Sequence, residues 1–154
     1  LKQPSGVSAA RGIMPELTFD TKIEICCGES KIRLIHRPGS APGAIWVWIP
    51  EAKVIFVGDS LFTDTHPILA GAQLDDWIES LLILGQSDFR SHTIVPGRSK
   101  PTNQASIEVC KNYLRYLRRR LAAWIDQGKQ PNEASELAPA LLKRFPVAKR
   151  HALP

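Results

Sequence analysis

The chain has 154 residues, 44% hydrophobic and 23% charged, with a net charge of +5. That is enough for one domain with a buried core, too evenly mixed for a disordered segment, and without any apolar run near the roughly 20 residues that span a bilayer. Its three cysteines, Cys26, Cys27 and Cys110, form no C-x-x-C pair, which leaves out a zinc knuckle or a thioredoxin-type site.

Residues 1–15 are small, polar and irregular and read as a linker or stub. LTFDTKIEI (17–25) alternates loosely, as a strand does; GES (28–30) is a turn and KIRLIHR (31–37) a second strand. GAIWVWIP (43–50) and KVIFVG (53–58) are a third and fourth, joined by the tight turn PEAK (50–53), so an antiparallel meander is expected. After the loop DSLFTDTHPILAGA (59–72), residues 73–86 predict a helix whose apolar stripe is Leu74, Trp77, Ile78, Leu81 and Leu82. HTIVPG (92–97) is a short buried strand. Pro101 and Thr102 open a long helix that runs to about Gln127, where Gly128 stops it. A last helix is expected over 133–145, with Asn132 as its N-cap and prolines 146 and 154 in the tail. The organisation is thus a stub (1–15), a domain (16–127) and a C-terminal helix with tail (128–154).

The third and fourth strands carry an unusual message. Ala44, Trp46 and Trp48 point one way and Ile45, Val47 and Ile49 the other; Val54 and Phe56 oppose Ile55 and Val57. A sheet with one wet face alternates apolar with polar; these strands have no polar face and are expected to be buried on both. The helices at 73–86 and 102–127 can cover one face. The other calls for a second sheet from another chain or segment, or else for helix 133–145 or the N-terminal stub to fold over it. Large apolar side chains left in water forfeit about 1.5–3 kcal/mol each.

Positive charge collects late, in KNYLRYLRRR (111–120) and KRFPVAKR (143–150). A nucleic-acid surface is one reading. A solvated helix face is favoured over it, because Leu114, Leu117 and Leu121 recur at helical spacing between the charges. Reduced, partly buried thiols fit a cytoplasmic protein. The sequence opens at Leu1 rather than Met, so the lack of a leader pattern says little about compartment.

HRPGSAPG (36–43), VGDSLF (57–62), LDDWIESL (74–81) and VPGRSKP (95–101), in this order and at these spacings, resemble the second half of the metallo-β-lactamase-fold hydrolases, over roughly residues 12–127. That family is an αββα sandwich of two similar halves. The resemblance therefore implies an α+β chain that is half of such a sandwich, mostly antiparallel, with helices on one face. The family's first-half motif H-x-H-x-D-H is absent, and the four histidines, His36, His66, His92 and His151, are scattered.

The resemblance also assigns positions. Ser40 stands where the family places a metal-binding histidine, Asp59 where it places a bridging aspartate, and Arg98 where it places its last histidine. A hydroxyl is a poor zinc ligand, a guanidinium has no lone pair to offer, and a catalytic zinc needs about three protein ligands. Asp59 is thus expected to be the sole surviving ligand of a vestigial site whose remnants are His36, Ser40, His66 and Arg98. Arg98 and Asp59 are expected to converge, the guanidinium supplying positive charge in place of the metal's. His36 is expected to be a hydrogen-bonded structural histidine. An improvised metal site from Asp59, Asp64 and His66 is weighed below plain turn and capping roles for that loop. Trp46 and Trp48 are expected in the core.

These implications favour a half-domain that is catalytically inactive alone and acts by association, as a homodimer or with a complementary N-terminal-half chain, through its bare sheet face. No metal cofactor is expected for the chain by itself. The alternative is a metal-dependent hydrolase of esters, thioesters or lactones, completed by a partner that carries the first-half ligands and loaded with zinc, iron or manganese. Aspartate rather than cysteine at position 59 resembles these broader hydrolases more than the antibiotic-degrading members.

Overall fold

A computed structural model describes residues 16–130, 133 and 136–146. The stub at 1–15, the expected N-cap Asn132 and the tail beyond Pro146 lie outside the described residues. Five strands, β1 (Lys22–Cys27), β2 (Ser30–His36), β3 (Ile45–Ile49), β4 (Val54–Gly58) and β5 (Thr93–Pro96), form one sheet in the order β1-β2-β3-β4-β5. The first three pairings are antiparallel and β4–β5 is parallel. The helices are α1 (Leu74–Leu84), α2 (Ala105–Asp126) and α3 (Ala138–Arg144). The expected fold class, a mostly antiparallel α+β arrangement with helices packed on the sheet, is the one observed. No helix among the described residues is long and apolar enough to cross a membrane.

Several boundaries differ from expectation. The first strand begins at Lys22 rather than at residue 17, because a tight turn at Gly28, whose φ is +61°, pairs Cys27 with Ser30 and fixes the register back to Lys22 and Ile35. The long helix begins at Ala105, not at Thr102. Thr102 is instead taken up by Ile94, with backbone bonds of 2.8 and 3.0 Å between the two residues, and the Asn103 side chain accepts from the Ala105 N–H. The last helix covers only 138–144 of the expected 133–145.

The core lies on one face of the sheet. Trp46, Ile55, Val57 and Ile94 meet Trp77, Leu81 and Leu84 of α1 and Ile107, Cys110, Leu114 and Leu117 of α2, all buried. Leu82, expected in the α1 stripe, is exposed. Its place inside is taken by Ser80, buried because its hydroxyl donates to the Pro38 carbonyl at 2.9 Å. Cys110 is also inside. Its Sγ–H donates to the Phe62 carbonyl at 2.7 Å, and burial pushes its thiol up to about 12. Cys26 and Cys27 are exposed, against the expectation of partly buried thiols.

The opposite face is different. Adjacent partners in register share a face, which groups Ile23 and Ile25 of β1, Ile32 and Leu34 of β2, Ile45, Val47 and Ile49 of β3, Val54 and Phe56 of β4 and Val95 of β5. None of these is buried; Ile25, Ile45 and Phe56 are 40%, 43% and 41% exposed. The strands were expected to be buried on both faces, and within the described residues only one face is. The helix expected as a possible cover does not lie there: Phe145, at the end of α3, packs on Tyr113 and Tyr116 of α2, and Leu141 joins the helical core.

One edge of the helical core carries a titratable group. The indole N–H of Trp48 donates to His92 Nε2 at 3.0 Å, which requires that nitrogen to be unprotonated. Burial, with a smaller contribution from Lys53, lowers the His92 pKa below its ordinary value of 6.5. The unfolded chain therefore takes up this proton first as pH falls. The stability contributed is intact above about 6.5 and is lost as pH drops through the lowered folded value. In thermal melts between pH 7.5 and 5, His92→Gln is expected to lose stability less steeply than the wild type, its amide oxygen still accepting from Trp48. Parallel pH profiles for the two proteins would contradict this.

Candidate functional site

The loops after β4 and β5 run side by side at the carboxyl ends of two parallel strands. The Gly97 N–H donates to the Gly58 carbonyl at 2.9 Å, and Gly58 itself turns at φ +54°. This brings Asp59 and Arg98, 39 residues apart, into contact: Arg98 Nε donates to Asp59 Oδ1 at 3.2 Å. Both side chains are about half exposed, 54% and 45%. Together with Leu61, Phe62, Thr65, His66, Pro67 and Ile68 they line one small cleft.

The turn that presents Asp59 is anchored from below. Ser60 is buried; its hydroxyl accepts from the Trp46 indole at 3.1 Å and its carbonyl from the Trp77 indole at 2.7 Å. Two buried indoles thus satisfy their only polar atoms by gripping the residue beside Asp59. Further on, the Thr63 N–H donates to Ser99 Oγ at 3.3 Å, tying the two loops together again. His66 reaches the Tyr113 hydroxyl through Nδ1 at 3.0 Å, with the rings 5.6 Å apart, while its Nε2 is buried without a partner among the described residues. Asp64 has its side-chain oxygen bonded by the Thr63 hydroxyl at 3.3 Å.

The β2–β3 loop, residues 37–44, is held by backbone rather than by an ion. The Gly39 carbonyl accepts from the Gln73 N–H at 2.8 Å, at the entry to α1. Gly39 adopts φ +152°, and a Cβ there would sit 2.6 Å from Trp77 Cα. His36 lies between two carbonyls, Asp20 O at 3.0 Å from Nδ1 and Pro42 O at 2.7 Å from Nε2. Ser40 is partly buried in the same loop. Neither His36 nor Ser40 lines the Asp59 cleft. The structure therefore gathers Asp59, His66 and Arg98 from the expected remnant set around one cleft, and His36 and Ser40 are not among its lining residues.

This donor set does not fit a metal of the kind the resemblance implies. Among the described residues no three His, Cys, Asp or Glu side chains are grouped to hold one. The cation beside Asp59 is a guanidinium, which competes for the carboxylate and offers no lone pair. Ser60, Ser99, Tyr113 and Cys110 were not singled out from the sequence as framing this region. Each acts across 14 to 48 residues, so no local spacing announces it.

The two kinds of restraint are expected to separate cleanly on mutation. Gly39→Ala overpacks a rigid contact at a positive φ and is expected to cost about 1–3 kcal/mol. Arg98→Ala removes an exposed ion pair and is expected to cost less than about 1 kcal/mol. Urea unfolding of both variants checks this; an Arg98→Ala loss as large as that of Gly39→Ala would overturn it.

Comparison with known proteins agrees with this geometry. Residues 25–98 match the profile of the Metallo-beta-lactamase superfamily. A curated relative, the linear primary-alkylsulfatase of Pseudomonas sp. (strain ATCC 19151), is 23% identical over 139 residues, covering 83% of this chain. Among solved structures, a metallo-beta-lactamase from Pontibacter korlensis matches 66% of this chain at a TM-score of 0.60 and 20% identity. The DIM-1 metallo-beta-lactamase exposed to ceftazidime matches 64% at a TM-score of 0.56 and 19% identity. The match covers 26% of the alkylsulfatase and 49% and 46% of the two solved chains, so this chain spans about a quarter and about half of their lengths. At these identities the structural likeness speaks for the fold alone. Residues 25–98 are thus similar to the metallo-beta-lactamase superfamily, and the fold is the one seen in its solved members.

Proposed function

We propose that this chain works by association rather than catalysis: it is one half of an αββα sandwich, inactive by itself, that pairs through its uncovered sheet face with a second copy. The observation that carries the reading is the unbroken apolar surface from Ile23 to Val95 across all five strands. Several such side chains, left up to 43% exposed, each forfeit a share of the about 1.5–3 kcal/mol that full burial supplies, and together that weighs on the marginal stability of a domain.

A second copy suits this face electrostatically. The positions that share it with the aliphatic residues are Cys27, Ser30, His36 and Thr93, with no lysine, arginine, aspartate or glutamate. Two copies of a chain with net charge +5 can therefore approach here without opposing like charges. A two-fold axis would stack the two sheets face to face and leave α1 and α2 outermost, which reproduces the layer order of a sandwich. A complementary N-terminal-half chain would use the same surface.

The catalytic side of the reading rests on the Asp59–Arg98 pair and the missing donors around it. No reaction step is assigned to the chain. Size-exclusion chromatography with light scattering is expected to return a dimer for the wild type. Phe56→Glu, a change at a 41% exposed side chain that leaves the helical core untouched, is expected to return a folded monomer. A wild type that is monomeric and fully folded in dilute solution would remove the proposal.

A further inference from the structure

The basic residues of α2 are not spread evenly. Arg118 pairs with Asp75 at 2.6 Å, and Lys111, buried, with Glu108 at 2.6 Å. Arg115 and Arg119 instead face a groove of about 650 Å³ between α2 and the end of α3, where Arg144 joins them from the other wall. Asn112 and Tyr116 continue the same stripe of α2, and Phe145 closes the floor, its ring 5.6 Å from that of Tyr116. No acidic residue lines the groove. Among the described residues none of these three arginines forms an ion pair, and the Glu108 carboxylate, itself bonded to Lys111, acts on Arg115 only from a distance. Arg115 and Arg119 are a like-charge pair one helical turn apart, an arrangement that destabilises a helix unless something neutralises it. A solvated face would disperse such charges over convex surface; here they converge on a concavity that also holds aromatic rings.

We infer that this groove is a site for a short stretch of single-stranded nucleic acid, with phosphates on Arg115, Arg119 and Arg144 and a base against Tyr116 and Phe145. The two α2 arginines lie about 6 Å apart along the helix axis, of the order of the spacing between successive phosphates on an extended strand. Guanidiniums suit phosphate oxygens because they present forked donors in one plane. Aromatic side chains beside a cationic track are how strands are held without reading their sequence. The groove lies on the helical side of the molecule, away from the bare sheet face, so pairing through that face does not cover it.

Fluorescence anisotropy of the full chain with a labelled short RNA strand and its DNA counterpart, across a salt series, tests this. Binding is expected with a log–log salt slope of about −2, the value for three contacts to a single strand. Arg115→Glu with Arg119→Glu is expected to weaken it about ten-fold or more and to flatten the slope, and Arg144→Ser to act in the same direction. Arg118→Ser, outside the groove, is expected to stay within about two-fold of the wild type. Circular dichroism verifies that each variant is folded before it is scored. Inorganic triphosphate serves as the competitor that carries charge without bases, and it is expected to displace the strands only in large excess. The inference is overturned by absence of binding at low salt, by Arg118→Ser weakening binding as much as the groove variants, or by triphosphate displacing the strands at equal concentration.

Discussion

A sheet that is apolar on both faces, in a chain whose described helices all pack on one of them, is the constraint from which the rest of this structure follows. Trp46, Ile55, Val57 and Ile94 are sealed by α1 and α2. Val47, Phe56 and Val95, which follow Trp46, Ile55 and Ile94 and point the other way, are apolar too, and none of them is buried among the described residues. Polar residues do appear on the helix side, but at its margin: Glu24 bridges Lys31 at 3.0 Å and Arg33 at 2.8 Å on β1 and β2, and Arg33 lies 4.8 Å over the Trp48 ring. The helical side thus ends in a hydrated rim over β1–β2, whereas the uncovered side is hydrophobic from edge to edge.

The loops around Asp59 are held in place by the protein's own packing. Gly39 passes over Trp77 too closely for any side chain, Trp77 holds the Ser60 carbonyl, and Ser60 fixes the turn from which Asp59 projects. Each link is a packing contact or a hydrogen bond inside the core, and none needs an ion. The loops therefore hold their path through the protein's own contacts, and Arg98 projects half exposed from the second of them. The Arg98 guanidinium balances the Asp59 carboxylate at a site where both side chains stay about half exposed.

Much of this was legible in the sequence, and the parts that were not share a cause. Strict apolar periodicity gave β3, β4, β5 and α1 to within two or three residues of their ends, and the absence of a polar face on β3 and β4 pointed to the uncovered surface. The errors came where a long-range partner outweighs a local pattern. Thr102 reads as a helix opener but is claimed by Ile94. Leu82 reads as core but yields to Ser80, because Pro38 offers Ser80 a carbonyl. The Asp59–Arg98 contact was accessible only through the family resemblance, since nothing in the spacing of two charges 39 residues apart says that they meet.

The close pass of Gly39 over Trp77 has a consequence for how this chain can change. Its backbone is a mould cast in hydrocarbon, so no side chain fits at position 39 unless Trp77 and the helix that carries it give way. A glycine with no chemistry of its own thereby sets how near the first helix lies to the loop that carries Ser40.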